Sequence, residues 1–151
     1  MKFLYLLLFS FTLLNAQKVE ISADSFEADE TKMLSVLQGN VRLVKGEDTI
    51  KASKLTIYFD AENKPKSYLA EGNINFIIHT GNQHFKGKAQ KLLYKPRSLK
   101  YEISGSAFIH EMTQNRKLYG ETIMIDRISG KSTIKGSSNK PIKFIFEVKE
   151  E

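Results

Sequence analysis

A repeat of 33 residues is the feature of this chain that most restricts its fold. Gly39, Gly72 and Gly105 lie 33 residues apart, and each precedes a run in which apolar and polar residues alternate. A second shared phrase, Lys-Ala-x-Lys-Leu, occurs at residues 51–55 and 88–92. Self-similarity at a fixed period indicates supersecondary units that bury their apolar faces only by stacking on one another. The unit here is a pair of strands, so the sequence predicts one continuous all-β stack.

Strand signals extend along the whole chain after residue 17. Apolar residues alternate with polar ones at period two, and β-branched and aromatic residues are abundant, as a half-buried sheet prefers. No stretch has a convincing helical period, and residues 24–33, which come nearest to one, match the strand phrase of the other repeats. The chain has no cysteine, so a folded domain depends on core burial and sheet hydrogen bonds, without disulfides.

One spacing inside the repeat predicts a bend in each unit. Ala23, Ala52, Ala89 and Gly120 are each followed by two polar positions before the next apolar residue. Strict alternation breaks at these points, and an inserted residue of this kind is typical of a β-bulge or a corner. Bends at the same height in every unit would fold the sheet over into a sandwich.

The first residues read as an export signal. Lys2 precedes a run at 3–14 that is dominated by Leu and Phe, and a small residue, Ala16, offers a cleavage site. A membrane-spanning helix needs about 20 apolar residues, so this run fits a cleaved signal peptide better than an anchor. We therefore expect a signal peptide at residues 1–16, one folded domain at 17–148 and a short tail at 149–151.

Catalytic and metal-binding patterns do not stand out. The net charge is +6, from 23 Lys and Arg against 17 Asp and Glu, and the basic residues are spread along the strands. The three histidines have no metal-ligand spacing, and no nucleophile or phosphate-binding motif occurs. Aromatic residues mostly follow the inward parity and Trp is absent, which disfavours a surface for stacking nucleic-acid bases. The sequence predicts no enzyme activity, no cofactor, no metal and no nucleic-acid partner.

Several motifs together resemble a known family. The opening Ile21-x-Ala23-Asp24-x-x-x-x-Asp29, the Gly-Asn-Val/Ile strand starts and the Lys-Ala-x-Lys-Leu phrases are similar to those of the LptA/OstA-like family of periplasmic lipopolysaccharide-transport proteins. The resemblance covers residues 18–146. It implies a V-shaped β-jelly roll of antiparallel strands that is open at both ends. It also implies head-to-tail stacking in the periplasm between an inner-membrane LptC-like protein and an outer-membrane LptD-like protein.

The resemblance further implies an apolar trough that holds the acyl chains of lipopolysaccharide. Phe76 matches a family position that faces the lipid, and Val19 and Ile21 match the edge at which the lipid enters. The expected trough residues are Ile21, Phe26, Leu43, Ile57, Ile74, Phe76, Ile78, Tyr94, Ile103, Ile123 and Phe144. The expected assembly edges are Val19 and Ile21 at one end and Ile142, Phe144 and Phe146 at the other.

Other interpretations of the same pattern stay open from the residues alone. Each inward apolar residue fits a closed core as well as a trough. The chain also fits an LptC-like, membrane-anchored component of the same pathway, or an exported structural β-repeat protein that carries no lipid. A β-sandwich that binds polysaccharide or nucleic acid through its outer face is a further alternative.

Overall fold

The computed structural model of the chain describes residues 18–80 and 82–150. Within them the secondary structure is a single antiparallel sheet of ten strands, and no described segment forms a helix that could cross a membrane. The predicted signal peptide lies outside the described residues. The strands are β1 (Val19–Ser22), β2 (Ser25–Asp29), β3 (Leu34–Lys45), β4 (Asp48–Phe59), β5 (Pro65–Thr80), β6 (Gln83–Lys95), β7 (Lys100–Glu111), β8 (Arg116–Asp126), β9 (Ser132–Lys135) and β10 (Lys143–Ile145).

The strands follow one another as an antiparallel meander from β3 to β8. Both β1 and β2 pair with β3, and both β9 and β10 pair with β8, so the first and last strands of the sheet are each split in two. The path through the sheet runs β1-β3-β4-β5-β6-β7-β8-β10 and does not close on itself. This arrangement confirms the predicted all-β, open jelly roll built from two-strand units.

Every hairpin pairing is interrupted at the same height, which we call the corner. The register shifts between Gln38 and Val41 in β3, and equivalent shifts occur in the next four pairings along the sheet. Ala52 and Leu55 of β4 are both buried although they are three residues apart, so the inward parity changes at the corner. The predicted interruption after each small residue is confirmed.

The repeat glycines, in contrast, do not begin strands, and that prediction is wrong. Gly39, Gly72 and Gly105 lie in the middle of β3, β5 and β7, at the corner. Each has a φ of 83°, and the residue that follows it is also left-handed, for example Asn73 at 47°. A left-handed pair inside a strand interrupts the apolar–polar alternation in the same way as the start of a new strand. The sequence pattern alone therefore does not distinguish the two.

Side chains from the neighbouring strand support these left-handed pairs. The backbone N–H of Asn73 donates to Gln90 Oε1 at 3.3 Å, and that of Ser106 donates to Glu121 Oε2 at 3.3 Å. In the first copy the backbone N–H of Asp24 donates to the carbonyl oxygen of Gly39 at 2.8 Å. Polar residues after the small residue therefore satisfy backbone groups that the bulge takes out of the ladder.

The corner divides the sheet into two arms. The first arm contains residues 19–22, 41–52, 74–80, 82–89, 107–120 and 143–145, and the second arm contains 25–38, 54–71, 91–104 and 122–135. We call the hairpin turns at the far end of each arm the first rim and the second rim. Buried apolar residues from both arms form one cluster, so the sheet folds over at the corner and encloses its apolar face.

Candidate functional site

The inside of the folded sheet is apolar on both arms, and its most buried residues lie on the strands in the middle of the sheet. Within residues 18–80 and 82–150, all buried apolar residues belong to the six central strands. They are Leu37, Val41, Ala52, Leu55, Ile57, Phe59, Ala70, Ile74, Phe76, Ala89, Leu92, Ile103, Ala107 and Ile123. Burial decreases towards the two edge strands, whereas along β4 it persists to the second rim, where Ile57 and Phe59 are 2% and 5% exposed. The interior is therefore closed in the middle of the sheet and open at its two edges.

The expected trough residues fall into three groups. The closed centre contains Ile57, Ile74, Phe76, Ile103 and Ile123, each no more than 4% exposed. The margin contains Ile21, Leu43, Ile78 and Tyr94, which are partly buried. The two remaining residues, Phe26 and Phe144, are 43% and 52% exposed on the edge strands. The structure therefore places all eleven on the inward parity, but it does not bring them into one continuous open surface.

Phe76 fills the middle of the first arm. The strand register aligns Phe76 with Ile50 on one side and with Gly87 on the other. A Cβ atom added to Gly87 would lie 2.1 Å from the ring carbon Cζ of Phe76, so the ring lies directly over the glycine backbone. The sequence indicated Phe76 but not its partner, because the role of Gly87 depends on a cross-strand register that no single-strand pattern shows.

A row of three tyrosines lies on the inner side of the second arm. The ring centroids of Tyr94 and Tyr101 are 4.4 Å apart, and those of Tyr68 and Tyr94 are 6.0 Å apart, with both pairs stacked. Burial raises the pKa of Tyr68, and burial and the neighbouring Tyr101 raise the pKa of Tyr94. Of the three tyrosines, only Tyr94 was among the predicted trough residues; Tyr68 and Tyr101 lie beside it because the register of β5, β6 and β7 aligns them.

The two edges of the sheet differ in exposure. Val19 and Ile21 of β1 are partly buried. Beyond β8, Ile142, Phe144 and Phe146 are 46%, 52% and 53% exposed. Both β1 and β10 pair on one side only among the described residues. The expected edge residues thus lie on open edges, and the C-terminal edge carries the larger apolar surface.

Charged groups of the first rim are bonded to their own turns. Glu111 is 4% exposed, and its carboxylate accepts hydrogen bonds from the backbone N–H groups of Thr113 and Gln114, at 2.9 Å each. Burial acts against ionisation, but these N–H donors and the guanidinium of Arg116 leave the pKa of Glu111 below its usual value. The arrangement stabilises the β7–β8 turn and offers no free acid or base.

The histidines also have structural partners. The backbone N–H of His79 donates to Asp48 Oδ1 at 2.7 Å, and the His79 ring stands edge-on to that of His84 with centroids 4.6 Å apart. Across residues 18–80 and 82–150, no group of three or more His, Cys, Asp or Glu side chains could hold a metal ion.

Comparison with known proteins gives two matches and one negative result. The family described as LptA/(LptD N-terminal domain) LPS transport protein matches residues 20–131. The crystal structure of LptH from Pseudomonas aeruginosa, described as the LptA homologous periplasmic component of the lipopolysaccharide transport device, superimposes with a TM-score of 0.72. At 15% identity, the alignment covers 87% of this chain and 96% of that one, and it shows a shared fold. No curated protein matches the chain.

Proposed function

The chain belongs to the LptA and LptD N-terminal domain family of lipopolysaccharide transport proteins, and from this membership we propose that it carries lipopolysaccharide across the periplasm as a bridge between the two membranes. The acyl chains travel along the apolar inside of the folded sheet. The chain binds and releases its cargo without breaking a covalent bond, so no catalytic residue is assigned.

One observation carries this proposal: the apolar interior is shared by both arms and is unsealed at its edges. The buried cluster continues into partly buried residues on the outermost strands, including Ile21 of β1 and Ile134 of β9. A sheet that ends at β1 and β10 leaves that interior accessible from both sides. An acyl chain entering at one edge would therefore meet apolar side chains on every strand to the other edge.

The energetics suit transfer rather than storage. Each methylene group removed from water contributes about 0.8 kcal/mol. An acyl chain that is only partly covered gains several times that amount, less the cost of ordering the chain. Binding of this strength keeps the lipid out of water and still allows it to move to the next subunit.

Phe76 is the residue that we expect to move when lipid binds. Its ring occupies the space above Gly87 in the middle of the first arm, where a chain running from Ile21 to Phe144 must pass. A change of side-chain rotamer would clear that path without moving the backbone, since the glycine imposes no side chain of its own.

The two open edges support the proposed partners. An unpaired edge strand can receive a strand from another protein, with main-chain hydrogen bonds giving affinity and side-chain pockets giving specificity. We assign the edge of β1, with Val19 and Ile21, and the edge after β8, with Ile142, Phe144 and Phe146, to head-to-tail stacking of copies and to contacts with LptC-like and LptD-like proteins. The exposed apolar side chains of the second edge would be covered by such pairing.

Site-specific photocrosslinking tests where the lipid binds. Ile78 and Ile77 are neighbours on β5, but Ile78 faces inward and is partly buried whereas Ile77 faces outward and is 39% exposed. A photoreactive residue at position 78 should crosslink to lipopolysaccharide added to the purified protein, and the same residue at position 77 should not.

The control is matched in strand, in residue type and in distance from the rim. Crosslinking at both positions in equal yield would show that lipid coats the outside of the sheet and would contradict the trough. Crosslinking at neither position, together with recovery of lipid-free protein after incubation with lipopolysaccharide, would favour an exported structural repeat protein that carries no lipid.

A further inference from the structure

The two rims of the folded sheet differ in charge. The turns of the first rim carry two cations, Lys45 and Arg116, and three carboxylates, Glu47, Asp48 and Glu111. The half of the second rim formed by residues 95–100 and 126–131 has the opposite balance, with five cationic side chains and one carboxylate. Those cations are Lys95, Arg97, Lys100, Arg127 and Lys131, and the carboxylate is Asp126. The other half of the second rim, at residues 29–33 and 60–66, has three cations and four carboxylates.

Two of the five cations of this half-rim lie close enough to repel each other. Lys95 and Lys100 lie directly opposite each other across β6 and β7, and like charges at such positions destabilise a sheet. Lys100 also lies opposite Asp126 across β7 and β8, and this carboxylate offsets part of that repulsion. The backbone N–H of Arg127 donates a hydrogen bond to the carbonyl oxygen of Leu99 at 3.1 Å. This bond joins the turn at residues 126–131 to the turn at residues 95–100. Among the described residues, Arg97 is the only one of the five cations within ion-pair distance of a carboxylate, that of Asp60.

Two of the three tyrosines, Tyr94 and Tyr101, lie on the strands that lead into this half-rim, and Tyr68 of β5 stacks beside Tyr94. Tyr94 precedes Lys95 and Tyr101 follows Lys100, so phenol and ammonium groups alternate between the inner and outer faces at the strand ends. The Arg127 guanidinium also acts electrostatically on the Tyr94 phenol. All three tyrosines pack against the apolar cluster through part of their surface. The tyrosines therefore reach the rim from the inner face and the lysines from the outer face, and a ligand that covers the ends of β6 and β7 would contact both.

We propose that Tyr68, Tyr94, Tyr101, Lys95, Lys100 and Arg127 bind the phosphorylated sugar headgroup of the lipid whose acyl chains occupy the trough. This inference rests on the proposed function and adds an orientation to it: the headgroup lies at the second rim, not at the first. The ligand class is a sugar phosphate attached to acyl chains.

The chemistry of the six side chains matches that ligand. Lysine and arginine donate charge-assisted hydrogen bonds to phosphate oxygens, and an anion between Lys95 and Lys100 relieves their repulsion. Tyrosine hydroxyls donate to sugar and phosphate oxygens as long as they keep their protons. Tyrosine phenols keep their protons at neutral pH with an ordinary pKa of about 10, and burial raises the pKa of Tyr68 and Tyr94 further.

The test compares two charge-matched triple variants of the mature protein. The first carries Lys95→Gln, Lys100→Gln and Arg127→Gln at the second rim; the second carries Lys45→Gln, Lys51→Gln and Lys86→Gln on the first arm. Affinity is measured for lipopolysaccharide and for the same lipopolysaccharide after enzymatic removal of its phosphates. We expect the second-rim variant to bind phosphorylated lipid about tenfold or more weakly, and the first-arm variant to change less than about threefold.

Two further results are required. The dephosphorylated lipid should bind the wild type and the second-rim variant equally, because its acyl chains still enter the trough. Tyr94→Phe, which keeps the ring but removes the hydroxyl, should weaken binding of the phosphorylated lipid by about threefold to tenfold. Inorganic phosphate alone should not displace the lipid, since the site requires the attached acyl chains.

Other outcomes would overturn the inference. Equal losses in the two triple variants would mean that the net positive charge attracts the lipid without a defined site. Equal losses for phosphorylated and dephosphorylated lipid would mean that the second-rim variant is damaged in its fold. Displacement by inorganic phosphate would make the rim a free-phosphate site. If the wild type itself fails to bind either lipid, the proposed function fails, whereas unaltered binding by the second-rim variant removes the headgroup site alone.

Discussion

Residues 74–78 and 142–146 have almost the same sequence and occupy equivalent positions, yet they lie in opposite environments. The first reads Ile-Asn-Phe-Ile-Ile in β5, and the second reads Ile-Lys-Phe-Ile-Phe in and beside β10. The isoleucine that begins each segment is 1% exposed at position 74 and 46% exposed at position 142, and the phenylalanine is 4% exposed at position 76 and 52% exposed at position 144.

The difference comes from neighbours, not from composition. Strand β5 pairs with β4 on one side and β6 on the other, whereas β10 pairs only with β8 among the described residues. The C-terminal segment therefore exposes apolar side chains that are buried in β5, because it lacks the second neighbouring strand that covers them there. An exposed edge with this pattern is complementary to another strand of the same kind, which is the physical basis of the assembly that we propose at this edge.

The largest expected effect separates these two segments by stability. Ile74→Ala leaves a cavity in the closed centre, so we expect a loss of about 2–5 kcal/mol in the free energy of unfolding. Ile142→Ala is the same chemical change at the equivalent exposed position, and we expect a loss below about 1 kcal/mol. Urea unfolding of both variants at a concentration where the protein is monomeric measures the difference.

Equal losses at the two positions would contradict the comparison, because they would show that the C-terminal segment belongs to the core. A second measurement sharpens it: Phe144→Asp should leave the unfolding midpoint of the monomer nearly unchanged and reduce concentration-dependent oligomers in light scattering. An unaltered oligomer distribution would remove the C-terminal edge from the assembly.

Much of the fold follows from the sequence, because period-two alternation specifies which face of a strand each residue occupies. It placed Phe76 and Phe144 on the inner face, where the strand register also places them. It did not reveal that one is buried and the other exposed, since burial depends on how many strands flank each segment. The corner was partly readable: Ala52 marked the break, but Gly72 was interpreted as a strand start because a left-handed Gly-Asn pair and a turn have the same residue preferences.

The candidate site was predictable to a similar extent. Parity and family resemblance selected Phe76 and Tyr94, and both lie on the inner face. The contact of Phe76 with Gly87 and the stacking of Tyr94 with Tyr101 depend on register across hairpins. Register is determined by turn length and bulges along the sheet as a whole, so no local pattern in one strand specifies these pairs.

A smaller effect concerns the corner in the middle of the sheet. Gly72 has a φ of 83°, and a Cβ atom there would lie 2.8 Å from the side chain of Ser53. We expect Gly72→Ala to lower the free energy of unfolding by about 1–3 kcal/mol.

Gly130 has a φ of 76° in the turn before β9, and a Cβ atom there would have no neighbour within 4 Å, so Gly130→Ala should cost about 1 kcal/mol. Similar losses for both, measured by urea unfolding, would show that left-handed strain alone matters and that the corner is not tightly packed.

The smallest effect is one of pH, and it compares a central turn with the C-terminal segment. The pKa of Glu111 is lowered in the folded state, because backbone N–H donors and Arg116 outweigh the opposing effect of burial. A carboxyl group with a lowered pKa stabilises the fold above its ordinary pKa of about 4.3 and loses that contribution as the pH falls through the folded-state value. The melting temperature of Glu111→Gln should therefore lie below that of the wild type at neutral pH, and the gap should narrow in acid.

Glu147, which accepts a hydrogen bond from the Asn115 side chain at 2.9 Å on the surface, provides the matched control, and Glu147→Gln should melt close to the wild type at neutral pH. A gap for Glu111→Gln that stays constant from neutral pH into acid would show that the glutamine disturbs the turn by its shape, not by its missing charge.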